Sequence, residues 1–220
     1  MGRGETLPEW FVFEEGAGLV PVRLLRDGDS VVGAELTAPE ALSCRAEAAP
    51  DTVAACLSLS LEDLRTDVHP PRVASVGLPF LIVEIATRDA LRRAKPNLAA
   101  YAELFPLDGA DAIYAYTRDI DPVGPEAGSD LQARMFSPLH GVVEDPATGS
   151  ATAAAAAMLA ELLGGESLAL RIGQGVDMGR PSVLVARVVA GQDGVRTTHV
   201  GGACVEVLEG AFGLAGEACT

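Results

Sequence analysis

Residues 151–163 read "ATAAAAAMLAELL", and this run limits what the chain can become more than any other stretch. Alanine is the strongest helix former, and the pair Gly164-Gly165 supplies a stop. A helix that is small and apolar on every side has no face to offer water, so it belongs inside the molecule. Its thin profile lets neighbouring backbones press close. Aromatic residues are only 5% of the 220, against 49% hydrophobic overall, so the surrounding core must be built from Val, Leu, Ile and Ala. Strands wrapped about a central helix, an α+β arrangement, are the predicted architecture.

The rest of the chain supplies strands in number. "WFVFEE", "LVPVRLL" and "VVGAEL" open it as paired strands with tight turns between them. Asp51 is placed to cap a helix over "TVAACLSL", and Ser60 with Asp63 forms a capping box ahead of Leu64. "HPPRVAS" reads as a break between halves. "FLIVEIA" reads as a fully buried strand, after which Thr87 caps a helix that Pro96 ends and Asn97 starts another. "AIYAYTR" and "LQARMFS" are strands separated by a Gly/Pro/Asp loop over 119–130. Beyond the alanine helix come "SLALRIGQG", "SVLVARVVA", "VRTTHVGG" and "CVEVLEG". Twenty-four glycines and fourteen prolines suit many short elements and disfavour an all-helical bundle.

A net charge of -15, from 31 acids against 16 bases, would repel a phosphate backbone, so nucleic acid is excluded as a partner. Cys44, Cys56, Cys204 and Cys219 form no C-x-x-C pair and have no matching histidine spacing, which argues against a metal site and for free thiols in a reducing compartment. The opening residues lack the apolar core of a signal peptide, so none is expected, and no apolar run reaches membrane length. A soluble cytoplasmic protein without a membrane partner is expected.

The chemistry concentrates just before the alanine helix, in "EDPATGS" (144–150). Pro146 forces Asp145 into an extended conformation and so aims its carboxylate. Gly149 permits a positive φ or a close backbone approach. Thr148 and Ser150 can cap the helix. The open N–H groups of the first turn, with the helix dipole, form a receptor for an anion such as a substrate carboxylate. One short stretch thus offers an acid/base beside a carboxylate cradle. The plainer reading is a loop with a good N-cap. "GQGVDMGRPS" (173–182) has neither the glycine spacing nor the following helix of a dinucleotide loop; it is expected to be a hairpin turn, with Arg180 free for an ion pair, that can line a pocket. His69, His140 and His199 have no visible partner and none is assigned to catalysis.

"RMFSPLHGVVEDPATGSATAAAAA" resembles the signature of the phenazine-biosynthesis-like (PhzF) family, relatives of diaminopimelate epimerase. "FEEGAGLVPVR", "SVGLPFLIVEIATRDAL" and "GQGVDMGRPS…HVGGACVEV" agree with it in the same order, together spanning about residue 10 to residue 209. The resemblance implies two similar domains, each a barrel-like sheet wrapped around a central helix, with the active site in the cleft between them. It implies a cofactor-independent isomerase, often a homodimer, that moves a proton on a small carboxylate-bearing metabolite. Asp145 is then the expected catalytic residue, and Thr148, Gly149 and Ser150 the expected substrate-binding residues.

The chain also departs from the family pattern. The "GNP", "SET" and "GHPT" segments of the first domain, including the acid/base glutamate, do not appear. Glu14 and Glu15 do not match that glutamate and are not assigned to its role. Residues 1–69 are therefore expected to be a remnant of an incomplete first domain, and 70–202 a second domain with central helix 151–163. A C-terminal strand and tail over 203–220 is expected to return to the first domain. An isomerase impaired by the missing glutamate is the first reading. A non-catalytic remnant that binds a small carboxylate or a partner protein stays open beside it, as does a dimer-forming domain with no ligand.

Overall fold

The computed structural model describes residues 7–210 apart from 122, 124, 125 and 192. Cys219 and the tail from 211 lie outside them. The alanine run forms α4, Gly149–Leu163, with residues 151–160 all buried, and it ends at Gly164, whose φ is positive (73°). Its small side chains let strands close on it from two sides. β11 (Ser167–Gln174), β12 (Ser182–Ala190) and β13 (Arg196–Ala203) pack on one flank, β6 (Arg72–Ser75) and β7 (Pro79–Ile85) on the other. Residues from both flanks join the alanines in one core, among them Ile82, Tyr114, Met135, Ile172, Ala186 and Val200. The central-helix expectation holds.

Thirteen strands among the described residues join a single sheet. β1 (Trp10–Glu15), β2 (Gly18–Asp27) and β3 (Ser30–Thr37) form an antiparallel meander. β3 then pairs with β13, Leu36 opposite Val200. From β13 the order runs β12, β11, β9 (Leu131–Ser137), β8 (Ile113–Thr117), β7, β6 and β4 (Ser43–Glu47). Only β11/β9 and β7/β8 are parallel neighbours. β5 (Leu64–Arg65) adds to β7, and β10 (Val142–Asp145) adds to β9.

β7 is buried on both faces, which explains its unbroken apolar run. Phe80 and Ile82 face α4, while Leu81, Val83 and Ile85 face a second core. That second core lies under α1 (Pro50–Cys56), α2 (Arg88–Arg93) and α3 (Leu98–Leu104). Thr87 caps α2 by accepting from the Ala90 amide at 3.1 Å, and Asn97 caps α3 through the Ala99 and Ala100 amides. The Ser60–Asp63 capping box is also present, around a single 3-10 turn.

Three local expectations are corrected. Asp51 does not cap α1: Pro50 takes the first helical position, which moves the cap to Ala49 and leaves Asp51 accepting from the Thr52 amide. The segment read as a break contains β6, because pairing with β7 and β4 supplies the order its prolines do not. The strand expected over 204–210 is absent; β13 ends at Ala203 and the following residues are exposed. β4, β5 and β10 are too short for a periodic signal, and partner strands alone define them. None of the described helices is long and apolar enough to cross a membrane.

Candidate functional site

β10 delivers Glu144 and Asp145 side by side, and alternation along the strand sends the two carboxylates apart. Glu144 is held by Arg134 in a bidentate pair, 2.7 Å at each oxygen. The remaining Arg134 nitrogen donates to the carbonyls of Leu91, Arg92 and Ala94, at 2.9, 3.1 and 3.0 Å, at the end of α2. Its guanidinium also lies over the Phe136 ring, 4.8 Å from the centroid. Behind this pair stands Asp177, 3.9 Å from Arg134 and clamped by both terminal nitrogens of Arg88. Glu144 is therefore committed to holding the loop.

Asp145, partly exposed, behaves differently. As Pro146 requires, its backbone is extended at the end of β10. Its Oδ2 accepts from the Thr148 hydroxyl at 2.6 Å. Thr148 is the N-cap residue of α4, yet no side chain caps the helix, because that hydroxyl is turned to Asp145. The capping expectation for Thr148 is thereby corrected, and the first-turn N–H groups of Gly149, Ser150 and Ala151 have no intrahelical acceptor.

Two hollows open on this helix mouth. One, of about 300 Å³, is lined by Val22, Leu36, Ala147, Gly149, Ser182 and Val200 among others. The other, of about 190 Å³, is lined by Glu15, Pro39, Val76, Gly77, Ser150 and Ala153 among others. Leu36 borders both. Gly149 lines the larger hollow and Ser150 the smaller, while Asp145 and the buried Thr148 line neither. No ionisable side chain lines the larger hollow, and Glu15 is the ionisable residue of the smaller.

The reason expected for Gly149 is also corrected. It is helical without a positive φ, and an added Cβ would meet only Leu36 at 3.8 Å and Val200 at 4.0 Å. Its missing side chain instead keeps the larger hollow open. Gly149→Ala should therefore fold at least as well, gaining up to about 1 kcal/mol of helix propensity. A carboxylate ligand should bind about tenfold more weakly, the penalty of one methyl-sized group in a pocket. Thermal melting and calorimetric titration with benzoate read the two effects separately.

The glycine that backbone geometry demands lies elsewhere. Gly175 has φ 76°, and an added Cβ would run into the Arg180 carbonyl and lie 2.8 Å from the Pro146 carbonyl. Here the β11–β12 turn presses directly on the "EDPATGS" loop. The hairpin expected over 173–182 is present, and Ser182 lines the larger hollow. Gly175→Ala should cost about 2–3 kcal/mol from the left-handed backbone and the displaced carbonyls, visible as a lower urea midpoint.

Gln174, which sequence reasoning passed over, is fully buried and ties this turn to the loop. Its Nε2 donates to the Asp145 carbonyl at 2.7 Å and to Thr148 Oγ1 at 2.9 Å, while its Oε1 accepts from the Thr148 amide at 3.1 Å. A lone glutamine between glycines carries no spacing signal for such a role. The histidines stay outside the site. His140 is exposed and pairs with Asp111, and His199 bonds Thr37. His69 is buried against Tyr116, where loss of water pushes its pKa down. Cys44, Cys56 and Cys204 are free thiols. Among the described residues no group of three or more His, Cys, Asp or Glu could hold a metal ion.

Residues 3–210 match the model of the family described as phenazine biosynthesis-like protein. The chain is 32% identical over 215 residues to an uncharacterized isomerase of Mesorhizobium japonicum, covering 94% of this chain and 69% of that one. It is 31% identical over 213 residues to the trans-2,3-dihydro-3-hydroxyanthranilate isomerase of Pseudomonas aeruginosa, covering 94% and 68%. Among solved structures, the Bacillus anthracis phenazine biosynthesis protein of the PhzF family superposes with a TM-score of 0.73 at 20% identity, covering 88% of this chain and 65% of that one. At that identity the likeness speaks for the α+β fold alone. The chain spans about two thirds of the length of these relatives.

Proposed function

The chain belongs to the phenazine biosynthesis-like family, and from that premise we propose that it is a cofactor-independent isomerase moving a proton on a small carboxylate-bearing metabolite. One observation carries the reading: Asp145, though it lines neither hollow, is tied by the Thr148 hydroxyl to the N-cap residue of the uncapped helix whose next two residues reach both hollows. The substrate carboxylate binds the first-turn amides of α4, where the helix dipole favours negative charge. Those amides also stabilise the charge that flows into the carboxylate when a C–H bond beside it breaks. Asp145 takes the proton as the C–H electron pair delocalises, and the proton returns at another carbon, so the metabolite changes by a bond shift alone. Val22 on β2 and Ala34 and Leu36 on β3 wall the larger hollow, and in this reading residues 1–69 are the remnant of a first domain.

The test is turnover of trans-2,3-dihydro-3-hydroxyanthranilate in deuterated water, followed by proton NMR. Conversion with deuterium at carbon supports the reading. A folded sample with neither conversion, nor exchange, nor a thermal shift from any small carboxylate would overturn it.

The apolar lining of the larger hollow favours one second reading. With no ionisable side chain there and Glu15 alone in the smaller, the chain binds a carboxylate without transforming it. Thermal shifts with carboxylates but no exchange in the same experiment would favour that outcome.

A further inference from the structure

We propose that Gln174 and Thr148 are positioning residues, which together fix the direction of the Asp145 carboxylate and leave its Oδ1 as the working oxygen. The inference deepens the isomerase reading and rests on it. The Thr148 amide can only donate, so the Gln174 atom facing it at 3.1 Å is the oxygen. The Asp145 carbonyl can only accept, so the atom facing it at 2.7 Å is the nitrogen. The second hydrogen of that nitrogen goes to Thr148 Oγ1 at 2.9 Å.

With its oxygen already accepting, the Thr148 hydroxyl has one direction left for its own proton, the Asp145 Oδ2 at 2.6 Å. Both side chains of the relay are buried, Gln174 at 0% and Thr148 at 7% exposure, so water does not compete for these bonds. β11 holds Gln174 rigidly by its pairing with β12 and β9. The Thr148 hydroxyl, otherwise a free rotor, thereby becomes an oriented donor. Asp145 Oδ2 is occupied, and Oδ1 is the oxygen that takes and returns the substrate proton. Thr148, on this reading, never touches substrate.

Three variants test it: Thr148→Val, which removes the hydroxyl and keeps the shape; Thr148→Ser, which restores the hydroxyl; and Gln174→Glu, which removes the donor amide. In the deuterium assay kcat should fall about a hundredfold for Thr148→Val, the usual penalty of a misplaced reacting group, while KM stays within twofold. Thr148→Ser should recover most of the loss. Gln174→Glu should show the same defect at neutral pH, with recovery as the new carboxyl takes up a proton, and Thr148→Val should add nothing on top of it. A rise in KM at unchanged kcat for Thr148→Val would place Thr148 on the substrate and overturn the proposal.

Crystal structures of the same variants read the claim without turnover. Asp145 should hold one rotamer in the parent chain and spread over more in Thr148→Val and Gln174→Glu. An unmoved Asp145 in both would overturn the positioning role. Absence of exchange in the parent chain, with Asp145 freed in the variants, would count against the isomerase reading and leave the positioning intact.

Discussion

Asp145→Asn should lower kcat by at least about a hundredfold, the contribution of a positioned acid/base group, while leaving the fold in place. The asparagine side-chain oxygen can still accept from the Thr148 hydroxyl that now bonds Oδ2, so the loop keeps its shape and melting should shift little. What disappears is the capacity to hold a proton. Carboxylate binding should survive and even tighten, because a negative charge near the helix mouth is removed while the first-turn amides are untouched. Turnover in deuterated water and calorimetric titration with benzoate read the two halves of the prediction. A variant that turns over within tenfold of the parent would move the acid/base role elsewhere, with Glu15 on the smaller hollow as the next residue to replace.

Replacing Arg134 by Met should produce the largest loss of stability of any single change around the site. Arg134 and Glu144 are 10% and 13% exposed and share two bonds of 2.7 Å. Methionine fills much of the same volume and still rests on Phe136. It leaves the Glu144 carboxylate without a counter-charge, and it leaves the carbonyls of Leu91, Arg92 and Ala94 without their donor. Breaking a buried pair from one side costs about 3–5 kcal/mol, a large part of the roughly 5–15 kcal/mol by which domains are stable. Urea unfolding measures it directly. Removing Glu144 as well, in Arg134→Met/Glu144→Met, should recover part of the loss, since an apolar pair replaces the stranded charge. A loss below about 1 kcal/mol for Arg134→Met would show that solvent reaches the pair.

Much of this could be read in advance where one local feature fixes the outcome. The alanines of α4 leave no face for water, so its place at the centre followed from composition alone. Pro146 dictates an extended Asp145 without help from the rest of the chain. Thr87 and Asn97 cap their helices because the bonds span only two or three residues. Asp51 shows the limit, since Pro50 one position earlier shifted the helix start and took away the capping role.

The sequence alone therefore determined that an apolar helix sits inside a wrap of strands and that its polar entrance carries a rigid aspartate. Both follow from the conformational preferences of adjacent residues. Tertiary structure decided what each polar group at that entrance does. Glu144 is spent on Arg134, ten residues away, and Asp145 and Thr148 are joined to Gln174, 29 and 26 residues away. Such bonds leave no period or spacing in the chain, because they exist only once β9, β10 and β11 lie side by side.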